Sequence, residues 1–121
     1  MFQGLRTVIY GTSELEKAKS WYSQVLGIAP YFDEPFYVGF NVGGFELGLD
    51  PNAPTGTTGP APYWGVPDAH AAFQKLIELG ATEQSAVQDV GDGILTGLVT
   101  DPFGNTLGII QNPHFSIIEN A

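Results

Sequence analysis

The chain has 121 residues with 13 Asp and Glu against 4 Lys and Arg, two histidines, no cysteine and a formal net charge of −9. A chain of this length fits one domain that buries roughly two-thirds of its unfolded surface, and the lack of cysteine excludes disulfides, thiolate zinc sites, iron–sulfur clusters and a cysteine nucleophile. The four cations, Arg6, Lys17, Lys19 and Lys75, are too few and too scattered to track phosphates, which argues against nucleic acid or an anionic membrane as partner.

The opening residues, Met1 to Arg6, lack a basic stretch leading into an apolar one and lack a cleavage-like site, so a cytoplasmic location is expected. The 43% apolar content predicts a globular core, and no apolar run is long enough to cross a bilayer. The first strand-like run is Leu5 to Tyr10. Ser13-Glu14-Leu15-Glu16 then has the Ser-x-x-Glu form of a capping box, and Leu15, Ala18, Trp21, Tyr22 and Val25 recur at three- and four-residue spacing before Gly27. That pattern predicts an amphipathic helix.

Three strand-like runs follow: Ala29 to Phe32, Phe36 to Val42 and Phe45 to Leu49, the last two with alternating apolar residues and Gly43-Gly44 as the turn between them. Asp50 to Pro60, rich in Pro, Gly, Thr and Asn, cannot extend a strand or helix and reads as a linker. The plan then repeats. Tyr63 to Val66 is strand-like, and Asp68 stands as N-cap of a helix with Ala72, Phe73, Leu76 and Leu79 on one face and Gly80 as its stop. Runs at Ala86 to Val90, Ile94 to Thr100 and Thr106 to Gln111 complete it, separated by Gly91-Asp92-Gly93 and Pro102-Phe103-Gly104-Asn105.

The chain therefore reads as a duplication, strand-helix-strand-strand-strand twice, within a single α+β domain spanning 1–121. Module one covers 4–50, the linker 51–60, module two 61–112 and a C-terminal tail 113–121. Gly44-Phe45-Glu46-Leu47-Gly48-Leu49 beside Gly104-Asn105-Thr106-Leu107-Gly108-Ile109 supports the repeat. A ferredoxin-like βαββαβ fold would place two strands between its helices, whereas three follow the first helix here.

Two βαβββ units, with Leu15-Glu16-Lys17-Ala18-Lys19-Ser20-Trp21-Tyr22 leading to Leu26-Gly27 and Asp101-Pro102-Phe103-Gly104-Asn105 before the last strand, resemble the glyoxalase/bleomycin-resistance/dioxygenase superfamily, also called vicinal oxygen chelate. The resemblance implies a curved mixed-sheet cup with the helices outside and a ligand cavity on the concave face. It also implies a metal site whose ligands, a His on the first strand and a Glu, His or Gln on the last strand of each unit, polarise vicinal oxygens. In this sequence those positions fall on Thr7, on Ala61, on Glu46 or Gly48, and on Gly108. One carboxylate of a four-ligand set cannot hold a divalent transition metal against water, so no metal and no cofactor is expected. His70, within the second helix, and His114, after Asn112-Pro113, read as a solvated helix residue and a locally hydrogen-bonded turn residue.

Glu46 is the most informative position. Glu46 and Gly48 lie two apart on one strand and so face one side, opposite Phe45, Leu47 and Leu49. Its carboxylate reads as a ligand-orienting group, as a general base with a pKa raised by burial, as a solvated residue at the open rim, or as a partner for Arg6 across the sheet. Tyr63, on the parity of Ala61, reads either as a ring turned into the implied cavity for a flat apolar ligand or as plain core packing, while Trp21 and Trp64 fall on the core parity. Gly11, Gly48, Gly65 and Gly108 either leave room for a ligand or serve sheet curvature.

The candidate ligand-binding residues are thus Thr7, Glu46, Gly48, Tyr63 and Gly108, with Glu46 also the candidate catalytic residue. Two functions follow from the resemblance. One is a metal-independent small-molecule binder that sequesters an antibiotic or metabolite as a homodimer, its ligand cationic or aromatic in view of the acidic chain. The other is a lyase or isomerase, or a dioxygenase-like member, acting on a small carbonyl compound with Glu46 as base. The apolar tail residues Phe115, Ile117 and Ile118 are expected to cover a sheet edge or a partner subunit.

Overall fold

The computed structural model describes Met1 and residues 3–115. The expectation placed on Ile117 and Ile118 lies outside the described residues, whereas Phe115 is exposed. Elements run β1 (Thr7–Gly11), α1 (Leu15–Leu26), β2 (Phe32–Glu34), β3 (Tyr37–Val42), β4 (Phe45–Asp50), then β5 (Tyr63–Gly65), α2 (Ala69–Glu78), β6 (Thr82–Asp89), β7 (Leu95–Thr100) and β8 (Thr106–Gln111). The strand-helix-strand-strand-strand order thus appears twice. Among the described residues no helix is long and apolar enough to cross a membrane.

The chain divides into two compact units. The first takes residues 1–58 together with Pro102–Asn105; the second runs from Gly59 to Asp101 and resumes at Thr106. Each has a four-stranded mixed sheet, ordered β1-β4-β3-β2 in the first and β5-β8-β7-β6 in the second. The expected curved cup is not formed: each sheet is open, and neither closes nor curls. In each unit the first strand pairs in parallel with the last and has no second partner among the described residues, and residues 51–60, with three prolines, form no strand that would extend the ladder.

In the first unit, alternation along the strands separates two faces. Tyr10, Val38, Phe40, Leu47 and Leu49 are buried on the side covered by α1, whose Ala18 and Tyr22 are buried with them. Tyr10 and Tyr22 stack at 5.8 Å, and Trp21 meets Tyr22 and Phe103 edge-on at 4.8 and 6.2 Å. Buried Asn105 ties the turn 102–105 down: its Nδ2 donates to the Gly11 carbonyl at 2.8 Å, and its Oδ1 accepts from Gly56 N–H at 3.0 Å. In the second unit Ala69, Leu76, Ala81, Val99, Leu107 and Ile109 are buried, and α2 packs on β6, β7 and β8.

Local signals hold in several places. Asp68 caps α2, its carboxylate accepting from Ala71 N–H at 3.0 Å, and Gly27 ends α1 in the left-handed conformation. Gly43 and Gly44 both have positive φ, +61° and +93°, as a two-residue hairpin turn between Val42 and Phe45 requires.

Others shift. The Ser13 capping box does not form: α1 begins at Leu15, one residue later, with Glu14 as its cap residue and no side-chain cap bond; Thr12 Oγ1 accepts from the Glu14 N–H at 3.0 Å, and the Glu16 carboxylate the box would need pairs with Lys19 at 2.9 Å. The strand expected at Ala29 to Phe32 starts at Phe32, since Pro30 has no N–H to donate and Tyr31 N–H makes the first bond, to Gly39 at 3.0 Å. β6 begins at Thr82 rather than Ala86; its added residues are mostly exposed and polar, as suits an edge strand, and carry no apolar alternation.

Candidate functional site

The face of the first sheet turned away from α1 is assembled by register. Thr7 stands opposite Glu46, Ile9 opposite Gly48, Asn41 opposite Glu46, Gly39 opposite Gly48 and Phe32 opposite Gly39. Directly opposed residues share a side, so Thr7, Phe32, Tyr37, Gly39, Glu46 and Gly48 lie on one face.

Glu46, half-buried on β4, is the centre of that face. It accepts hydrogen bonds from the Tyr31 hydroxyl on Oε2, from the Tyr37 hydroxyl on Oε1 at 2.7 Å, and from the Thr7 side chain. Burial alone pushes its carboxyl up, but the three hydroxyl donors outweigh that, and its pKa lies below the ordinary carboxylate value. Glu46 is therefore an ionised, oriented acceptor, and the expected upward shift that would suit a general base is corrected: hydroxyl donors stabilise the anion more than desolvation penalises it. Nor does it pair with Arg6. The Glu46 N–H donates to the Arg6 carbonyl at 2.7 Å, while the Arg6 guanidinium bonds Gln3 at 3.4 Å.

The partner tyrosines respond in the opposite direction. Tyr31 is raised first by its bond to Glu46; Tyr37 is raised first by burial and then by Glu46. Raised tyrosine pKa values contribute stability that is full below the unfolded value near 10 and is lost as pH climbs through the folded one; the lowered Glu46 contributes above the unfolded carboxyl value and is lost as pH falls through its folded one. An alkaline absorbance titration should thus show Tyr31 and Tyr37 ionising late. In Glu46→Gln, Tyr31 should return toward its ordinary value while Tyr37 stays raised by burial; an unchanged titration would remove the assigned bonds.

Sequence reasoning missed Tyr31, Tyr37 and Gly39. A Cβ on Gly39 would stand 2.9 Å from Glu46 Oε2 and 3.2 Å from the Tyr31 ring, and a Cβ on Gly48 would overlap the Tyr37 hydroxyl and lie 2.6 Å from its Cζ. A glycine facing a glycine across two strands leaves a hollow that an aromatic ring can fill. Gly39 with Tyr37 two residues earlier, opposite Gly48 with Glu46 two residues earlier, was a readable signal for this arrangement. Phe32 extends it, its ring 6.1 Å from Tyr37 and 5.9 Å from Phe36, both edge-on.

The glycine reading is corrected accordingly. The space at Gly48 is taken by Tyr37, that at Gly11 by the carbonyls of Ala53 and Pro54, and that at Gly108 by the Pro62 carbonyl at 2.5 Å and the Tyr63 ring at 2.8 Å; of the four, only Gly65 faces open space. Tyr63 pairs with Gly108 in the second unit and is exposed. Trp64, half-buried, stands opposite buried Ile109. His70 is exposed on α2; His114 bonds the Asp92 carbonyl at 2.9 Å and Asn112 Oδ1 through its N–H, a local turn arrangement.

The donor set does not fit a divalent metal. Thr7, Ala61 and Gly108 offer no ligand of the required kind, the oxygens of Glu46 are engaged by three hydroxyls, and no group of three or more His, Cys, Asp or Glu that could hold an ion occurs among the described residues.

A family model described as Glyoxalase/Bleomycin resistance protein/Dioxygenase superfamily matches residues 4–109. A search of curated proteins returns no match. Among solved structures the chain is similar to a glyoxalase-related enzyme from Fulvimarina pelagi (TM-score 0.78, 23% identity, covering 96% of this chain and 93% of that one). It is also similar to a lactoylglutathione lyase from Agrobacterium tumefaciens (0.75, 15%, 93% and 96%) and to a superfamily member from Sphaerobacter thermophilus (0.72, 23%, 93% and 99%). At these identities the likeness is one of fold.

Proposed function

The chain belongs to the glyoxalase/bleomycin-resistance/dioxygenase superfamily, and from that premise we propose that it is a metal-independent small-molecule-binding protein that sequesters an antibiotic or metabolite on the open face of its first sheet. A fold shared by many chemistries does not select one, so the reading rests on the site. The observation that carries it is Glu46, held ionised by Tyr31, Tyr37 and Thr7 beside exposed aromatic rings. An anchored acceptor flanked by flat apolar surface orients a ligand. The same donors leave the carboxylate a poor proton acceptor, so the lyase or isomerase reading, which needs Glu46 as base, is the weaker one.

Titration calorimetry against aromatic and cationic antibiotics tests the proposal. Glu46→Gln should weaken a bound ligand about tenfold or more, the loss of a hydrogen bond to a charged group worth about 1.5–3 kcal/mol. No binding of any ligand in the millimolar range would sink it, as would one tightly held metal per chain in protein purified without chelator. The proposal includes a homodimer as the working form, checked by sedimentation of the full chain against one ending at residue 112.

A further inference from the structure

Building on the reading that this face holds a small molecule, we propose that its ligand is an organic ammonium ion carrying a flat apolar group, with one N–H⁺ donated to Glu46 and the apolar group laid against Phe32 and Phe36. The first ground is charge. Glu46 is ionised, and the groups that stabilise it are neutral hydroxyls; the ion pairs of the described residues join Lys17 to Glu14 and Lys19 to Glu16 and Asp33, and none reaches it. Glu34 stands opposite Tyr37 on the same face, and Asp50 acts on Tyr37 with the same sign, so an anionic ligand is opposed where a cation is attracted.

The second ground is hydrogen-bonding capacity. A carboxylate offers about four lone-pair positions. Among the described residues Tyr31 takes one on Oε2, Tyr37 one on Oε1 and Thr7 a third, which leaves one. One free position suits a single N–H⁺ donor and not the two parallel donors of a guanidinium.

The third ground is aromatic surface. Phe36 is 62% exposed and Phe32 38%, with their ring centres 5.9 Å apart and Tyr37 6.1 Å from Phe32. Rings at this spacing beside a carboxylate attract a cation through their faces and take an apolar ring by offset or edge contact.

The test titrates the full chain with four probes that share a benzyl group: benzylamine, benzylguanidine, benzyl alcohol and phenylacetate. Benzylamine is expected to bind about tenfold tighter than the other three, a difference of about 1.4 kcal/mol, and to weaken with added salt. In Glu46→Gln, with its fold checked by near-ultraviolet circular dichroism, the preference over benzyl alcohol should vanish. Thr7→Val frees a second lone pair and should narrow the gap between benzylamine and benzylguanidine. Equal or tighter binding of benzyl alcohol or phenylacetate would overturn the ammonium inference while leaving the small-molecule reading standing, and an unchanged gap in Thr7→Val would overturn the lone-pair argument. If none of the four binds in the millimolar range, the ammonium inference falls, and the small-molecule reading falls with it only if the antibiotic titration is also blank.

Discussion

Phe40→Ala is expected to lower the stability of the first unit by about 3–5 kcal/mol, the range for emptying a buried phenylalanine site. Phe40 is 0% exposed on β3, opposite Leu47 on β4, and shares the buried layer with Val38, Leu49 and the Ala18 and Tyr22 side chains of α1. Truncation removes the transfer energy of the ring and leaves a void that a sheet tied by main-chain hydrogen bonds cannot fully collapse. Trp21 reports on this unit through its edge contact with Tyr22, so urea unfolding followed by fluorescence in a Trp64→Phe background gives the value. A loss under about 1 kcal/mol would mean that the layer repacks freely. The consequence reaches the opposite face, because Gly39 and Asn41 flank Phe40 on the same strand and place the partners of Gly48 and Glu46.

Gly11→Ala is expected to cost about 3 kcal/mol, the upper end of overpacking. A Cβ there would overlap the Ala53 carbonyl and lie 2.5 Å from the Pro54 carbonyl, and both are backbone atoms. No rotamer change relieves such a contact; residues 53 and 54 must move. Their displacement strains the Gly56 N–H bond to Asn105, whose other end holds the Gly11 carbonyl. Gly48→Ala differs in kind, since the atom it meets is the far end of the Tyr37 side chain. That ring can swing aside at lower cost in stability, at the expense of its hydrogen bond to Glu46. Paired urea titrations should rank Gly11→Ala as the more destabilising substitution, and the reverse order would remove the assignment of backbone contact at Gly11.

The helices and most strands were legible because their signals are local. Asp68 with its following apolar stripe, Gly27 as a stop, and alternation through Phe36 to Val42 each concern residues within a few positions of one another. The strand Thr106–Gln111 was readable to the residue for the same reason. Failures came where another group took the side chain a local motif needed, as Lys19 did the Glu16 carboxylate, or where an edge strand had no apolar face to display, as at Thr82–Ser85. At the site, Glu46, Thr7 and Gly48 could be placed on one face from parity, but their chemical state could not. It depends on Tyr37, nine residues from Glu46, and on Tyr31, fifteen residues away, brought to the carboxylate by the pairing of β2, β3 and β4.

From the sequence alone came the duplicated βαβββ order, the acidic character, the family resemblance and the survival of at most one carboxylate among the four expected ligand positions. Each is a matter of residue identity or short-range period, and none needs a third dimension. Tertiary structure decided that each sheet stays open, that the space beside Gly11, Gly48 and Gly108 is filled by the chain itself, and that Glu46 is lowered rather than raised. Those outcomes turn on which atoms approach across strands, and a carboxylate's ionisation is set by the balance of hydroxyl donors against desolvation at its own two oxygens.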